Sequence, residues 1–151
     1  MTTIRLITKI KSPIATVFDH SRDITLHEQS MKKSNEKAIA GVTSGLINKK
    51  ETVTFRGKHF GIYLTHKSII SEMDIPNYFT DEMVKGQFKT FTHEHTFVSN
   101  GNQTVMIDLL AYETPFGILG KWFNKLFLKK YLTLLIEERN QCIKKASEAN
   151  T

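Results

Sequence analysis

Apolar and polar residues alternate along much of the chain, and the period of that alternation marks out its elements. Over residues 3–11, Ile4, Leu6, Thr8 and Ile10 fall on one face and Arg5, Lys9 and Lys11, with Ile7, on the other. A period of two predicts a half-buried strand. Ser12 and Pro13 then read as an N-cap and a proline at the first helical position. Ile14, Val17 and Phe18 follow at helical spacing, so a short helix is predicted over about 13–20. Thr25 and Glu28 have the spacing of a capping box and predict a second short helix near 25–33.

Strand signals then run on to residue 113. Residues 36–41 form a short segment, and residues 51–59 place Val53, Phe55 and His59 on one side. Gly61 breaks the run and a longer strand follows over 62–73. Asp74-Ile75-Pro76-Asn77 is a turn, because proline cannot continue a central ladder. Residues 78–84 form the next strand, and residues 88–98 and 103–113 pair as a hairpin across Asn100-Gly101. Pro115 ends the last strand. From Phe116 to about Ala146 one long helix is predicted, with Leu128, Leu132, Leu135, Arg139, Cys142 and Ile143 at helical spacing. The early helix has a broader apolar face: Ile118, Leu119, Trp122, Phe123, Leu126 and Phe127. The sum is one α+β domain over residues 1–151, a curved seven-stranded antiparallel sheet around a long C-terminal helix, with two short helices between strands 1 and 2. One helix cannot fill a strongly curved sheet of that width, so an internal cavity is expected.

Composition narrows the function without naming it. At 151 residues a chain buries about 70% of its unfolded surface, enough for a real core. Ten phenylalanines suit strands and apolar cavities alike. The single cysteine, Cys142, excludes an intrachain disulfide, and the N-terminus alternates where a signal peptide would be apolar, so a cytoplasmic location is expected. The net charge of +6 comes from scattered lysines and arginines. Nucleic-acid binding, which calls for a clustered basic face, is not expected. Anionic ligands or membrane surfaces suit the charge better.

The hairpin carries the candidate chemistry. With Asn100-Gly101 as a two-residue loop, Phe97 opposes Thr104, His95 opposes Met106, His93 opposes Asp108 and Phe91 opposes Leu110, all on one face. A cross-strand His93–Asp108 pair is therefore expected, with the carboxylate fixing the ring's tautomer. Three readings stay open: a structural polar pair in a β core, a polar patch orienting a ligand in an apolar pocket, or catalysis or metal binding by the His93-x-His95 pair. His59 or Glu82 would complete a metal site only through folding. No metal site is assigned and no cofactor is expected.

Several strings resemble a known family: KHFG at 58–61, PNYFTDEMVKGQFKTFTHEHTF at 76–97, YETPFGILG at 112–120 and EERN at 137–140. The chain resembles the SRPBCC superfamily, whose helix-grip or START-like fold is shared with the birch pollen allergen and aromatase/cyclase proteins. Within it the chain is similar to small bacterial stand-alone members labelled polyketide cyclase-like or cell-division-inhibitor-like. The resemblance implies a cavity between sheet and long helix that binds lipids, sterols, polyketides or hormones. It places Phe79, Met83, Phe91, His93, His95 and Phe97 around that cavity, with Asp108 and Tyr112 from the last strand. Phe55 and Phe91 stand where relatives often carry tryptophan.

The expected ligand-binding set is Phe55, His59, Phe79, Met83, Phe91, His93, His95, Phe97, Asp108, Tyr112, Trp122 and Phe123, and the catalytic candidates are His93, His95 and Asp108. Trp122, Phe123 and Phe127 read either as core or as a gate. The lysines among them, Lys121, Lys125, Lys129 and Lys130, allow transient membrane contact without stable insertion. Asp81 and Glu82 point to opposite faces, one solvated and one at the cavity or its mouth. His27 reads as a surface or mouth residue, and His66 has no evident partner. The leading expectation is non-catalytic binding of a hydrophobic or amphipathic small molecule. A cyclase or dehydratase moving protons through His93 or His95, and an interaction protein with a vestigial cavity, are the alternatives.

Overall fold

In the computed structural model, which describes residues 1–149, the chain runs β1 (Thr2–Ile10), α1 (Ile14–Ser21), α2 (Ile24–Ser30), a short 3-10 turn (Lys32–Ser34), β2 (Lys37–Gly41), β3 (Thr52–His59) and β4 (Ile62–Asp74). It continues through β5 (Tyr78–Lys85), β6 (Thr90–Asn100), β7 (Gln103–Glu113), α3 (Gly117–Phe123), a π-helical turn (Asn124–Leu128) and α4 (Lys129–Ala149). The strands form one antiparallel sheet in the order β1-β7-β6-β5-β4-β3-β2. This is the expected α+β architecture.

Period-two alternation selects the inner face. On β7, Thr104, Met106, Asp108, Leu110 and Tyr112 are buried and their neighbours are not. Register shifts in β2, between Ala38 and Ala40, and in β4, around Lys67–Ser68 and Ile70–Glu72, bend the far half of the sheet. The core splits accordingly. One cluster joins Val17 and Phe18 of α1 and Ile24 of α2 to Phe79, Phe97, Met106 and Ile143. The other joins Ile4, Leu110 and Tyr112 to Leu128 and Ile136 of the C-terminal helix. Helix α4 packs on β1, α1 and α2, so it closes one side of the curved sheet and leaves the side toward β3–β5 open.

Several local expectations are corrected. Ser12 does not cap α1: Pro13 occupies the cap position, and the Ser12 side chain is buried with no partner among the described residues while its carbonyl accepts from Thr104 Oγ1 at 2.7 Å. Asp23, not Thr25, caps α2, accepting from the Thr25 and Leu26 amides. The two residues of the supposed capping box are drawn away by tertiary partners. Thr25 accepts from the Gly45 amide and Glu28 from the Ala38 amide of β2. The hairpin turns on Gly101-Asn102, one residue later than expected, with Asn100 opposite Gln103. Gly101 has φ +62° and takes the first central position, the place a II′ turn gives to glycine. The long helix is interrupted by the π turn, and its first turns are exposed, not core.

Candidate functional site

Between the sheet and the C-terminal helix lies a cavity of about 650 Å³. Its walls are mostly apolar, with Phe55, Phe79, Phe91, Ile70, Leu132 and Ile136 among them. Two polar clusters interrupt these walls, the first built by strand alternation and the second gathered from α2, the start of β2, β3 and α4.

The first cluster sits where β5, β6, β7 and α4 converge. In register, Asp81 opposes His93 across β5–β6, and His95 opposes Asp108 across β6–β7. The late turn thus hands Asp108 to His95, and the expected direct opposition of His93 and Asp108 is corrected. His93 still reaches the same carboxylate diagonally: His93 Nε2 lies 2.9 Å and His95 Nδ1 3.0 Å from Asp108 Oδ1. Asp108 Oδ2 accepts from Asn140 Nδ2 at 2.7 Å, and Arg139 Nη1 approaches Oδ1 at 3.5 Å. Arg139 is itself tied to the carbonyl and hydroxyl of Ser21. On the other side, His95 Nε2 is 2.9 Å from Asp81 Oδ2.

Carboxylates only accept, and His95 lies between two of them, with Nδ1 on Asp108 and Nε2 on Asp81. Burial would push the Asp108 carboxyl up, but the hydrogen bonds from His93 and His95 and the nearby positive charges hold it well below the usual range. Burial acts the same way on Asp81 and is outweighed by the His95 hydrogen bond and the histidine charges, which bring it down to about 2. The His93 pKa is lowered, first by burial and then by the His95 ring, tilted against it with centroids 3.9 Å apart, against the pull of Asp108. Arg139 stands beside the Asp108 carboxylate, and the lowered His93 pKa favours the neutral form of that ring. Its Nε2 donates to Asp108, which leaves Nδ1 as an acceptor that no described residue bonds. His93 lines the cavity.

Asp81, His93 and His95 also offer ligand atoms within 4.8 Å of one another, a two-histidine, one-carboxylate donor set. A metal there would have to displace the His95 proton and break its bond to Asp81. The hydrogen-bonded ion network is already complete without one.

The second cluster lies by β2, β3 and α2. Glu36 Oε1 is 2.7 Å from His27 Nε2, and its Oε2 is 3.6 Å from His59 Nε2. The other nitrogen of His59 meets the Tyr131 hydroxyl at 2.7 Å. Burial raises the Glu36 carboxyl, yet the two histidines overcome it and take it down to about 2. Gly57 makes the cluster fit: a Cβ there would stand 3.2 Å from Glu36 Oε2 and 3.1 Å from His59 Nε2. Between the clusters, His66 faces Phe91 at 5.0 Å, and burial lowers its pKa.

Seven of the expected ligand-binding residues line the cavity: Phe55, His59, Phe79, Phe91, His93, His95 and Phe123. Five do not. Asp108 stands behind the histidines, and Phe97 packs on Phe18 in the core. Tyr112 is sealed behind the wall with its hydroxyl on Asn124, Met83 lies against Gly86, and Trp122 points to solvent. Glu36, Arg139, Asn140 and Tyr131 were missed as site residues, and Asp81 was left undecided with Glu82 as the one at the cavity or its mouth. The signal for Asp81 was present: it shares the inward face with Phe79 by simple alternation. Arg139 sat on the predicted apolar stripe of the helix, an unusual place for a guanidinium. Nothing local in the sequence marks Glu36.

No family model matches the chain, and no curated protein matches it in sequence. Solved structures do match in shape. A protein from Thermus thermophilus superposes with a TM-score of 0.80 at 17% identity, over 99% of each chain. A START superfamily protein from Mycobacterium smegmatis matches at 0.74 and 12% identity, again over 99% of each chain. The chain has the helix-grip fold. The major latex-like protein 151 of Panax ginseng has the same fold, with a TM-score of 0.65 and 15% identity over 96% of this chain and 97% of that one. At such identities the likeness is one of fold. In the helix-grip frame the open space lies between the grip of the sheet and the helix, where both polar clusters face.

Proposed function

We propose that this helix-grip protein binds a hydrophobic or amphipathic small molecule non-catalytically. The observation that carries the reading is the cavity itself: about 650 Å³, aromatic-walled, with His93 in its lining and His93 Nδ1 unbonded among the described residues. Ligand pockets run to roughly 300–1,000 Å³ and combine apolar walls with a few placed polar groups. The phenyl rings supply burial. His93 supplies one acceptor for a ligand hydroxyl or amide, and the ion network behind it keeps the ring from turning. An open volume of this size also argues against a vestigial, packed interior.

Native mass spectrometry of the purified protein, with organic extraction and a thermal-shift screen of lipids and polyketide-like aromatics, tests the reading. A releasable organic mass or a saturable stabilisation is expected. A clean apo mass together with no stabilisation across the screen would overturn it. Because the His93 pKa is lowered, the ring gains its second proton only below its ordinary range. Affinity should hold near neutral pH and fall only once the pH drops below the ordinary imidazole range, as Nδ1 ceases to accept.

The backing of His93 by Asp108, which also meets His95, favours a second reading, a cyclase or dehydratase in which His93 Nδ1 takes a proton from substrate. His93→Gln separates the two. A binder keeps its affinity within a few-fold, whereas an enzyme keeps binding and loses turnover by about a hundredfold or more.

A further inference from the structure

The first turns of the C-terminal helix carry an exposed apolar surface that reaches beyond the cavity lining. Residues 118–129 fall into four stripes at a spacing of four. Only Gly120, Asn124 and Leu128 face the body of the protein. The stripes Ile118/Trp122/Leu126 and Leu119/Phe123/Phe127 are both exposed, and so is the lysine stripe Lys121/Lys125/Lys129. Leu119 is 75% and Trp122 67% exposed, and Phe116, just ahead, is 84% exposed. Across the cavity mouth, Phe60 meets Phe123 ring to ring at 5.2 Å. A monomer in water does not leave so many large apolar side chains together without a use for them.

The charges choose the occupant. Residues 114–136 hold Lys121, Lys125, Lys129 and Lys130 and no aspartate or glutamate. Apolar and aromatic side chains bordered by lysines, on a helix lying along the surface, are the arrangement that enters the headgroup region of an anionic bilayer. A second copy of the chain fits poorly, because a two-fold pairing of this face sets lysine against lysine with no acid between them. We infer that the protein docks on anionic lipid surfaces through α3 and the π turn, with Phe116, Leu119, Trp122 and Phe127 entering the interface and the lysines on the headgroups. Phe60, Phe116, Leu119 and Phe123 also line the cavity, so docking would turn its mouth to the lipid. The docking surface stands whether or not the cavity holds a ligand.

Trp122 is the only tryptophan in the chain, which makes the test direct. The full chain is titrated with phosphatidylcholine vesicles and with phosphatidylcholine/phosphatidylglycerol vesicles, following Trp122 emission and co-sedimentation. A blue shift and pelleting with the anionic vesicles alone, both suppressed by salt, are expected. Lys121→Gln with Lys125→Gln should weaken partitioning roughly 30-fold, at about fivefold per lysine. Leu119→Ser with Phe127→Ser should abolish it, with circular dichroism showing both variants folded. Equal binding to neutral vesicles, indifference to the lysine substitutions, or no shift at all would overturn the inference. So would a lipid-free blue shift that grows with protein concentration alongside a dimer in light scattering, because the second copy would then own the surface.

Discussion

Asp108→Asn is the sharpest test of the buried ion network. The carboxylate accepts from His93 at 2.9 Å, His95 at 3.0 Å and Asn140 at 2.7 Å, with Arg139 at 3.5 Å. An asparagine of the same shape retains one oxygen, which can still serve the two histidines. Its amide nitrogen then faces the Asn140 amide, donor against donor. The negative charge that balances buried Arg139 is also gone. Hydrogen bonds to charged groups contribute about 1.5–3 kcal/mol each, and stripping one partner from a buried ion pair costs about 3–5 kcal/mol. With one bond lost outright, two weakened and one cation left without its counter-charge, ~3–5 kcal/mol is expected. At about 2–4 °C per kcal/mol for a domain of this size, the midpoint should drop by roughly 6–20 °C. Urea unfolding followed by far-UV circular dichroism measures the change. Unchanged far-UV spectra at low denaturant would show that the fold itself persists. A loss under about 1 kcal/mol would refute the reasoning, since it would mean the Asp108 charge is not what holds the histidines and Arg139.

Two further outcomes follow from particular residues. Glu36 and Asp81, each brought down to about 2 in the folded chain, bind protons more readily when unfolded, so their stabilisation is complete above about pH 4.5 and drains away as pH falls toward 2. Glu36→Gln should flatten that part of the stability–pH curve, measured by urea unfolding between about pH 2 and 6. Gly120→Ala would place a Cβ 1.9 Å from the Pro115 carbonyl oxygen, so the start of α3 must shift. A loss of about 1–3 kcal/mol is expected, read as a lower thermal midpoint, and an unchanged midpoint would contradict the close approach.

Much of the fold was legible because strands and helices bury residues at different periods. Alternation alone put Phe91, His93, His95 and Phe97 on one face and Asp108 on the inward face of β7. The turn slid by one residue, from Asn100-Gly101 to Gly101-Asn102, and changed each residue's partner. It left the faces intact, because a one-residue shift of a two-residue loop moves each pairing by two. The helix starts were misread for a different reason. Ser12, Thr25 and Glu28 had the right spacing for caps, but local spacing cannot reveal that Gly45 and Ala38 arrive from elsewhere to meet the oxygens of Thr25 and Glu28.

The sequence by itself determined the order of elements, the inward faces and the gathering of His93, His95 and Asp108 on one of them, since each follows from period and chain continuity; which histidine stands opposite Asp108 it did not. The tertiary structure decided which charges balance. It brought Asp81 to His95, set Arg139 and Asn140 behind Asp108, and gathered Glu36 with His27 and His59 across separate elements. These are contacts between residues far apart in the chain, so no periodicity encodes them. The exposure of the early C-terminal helix is of the same kind. Its apolar stripes read as core or as a gate until the sheet is seen to curve away and leave them uncovered.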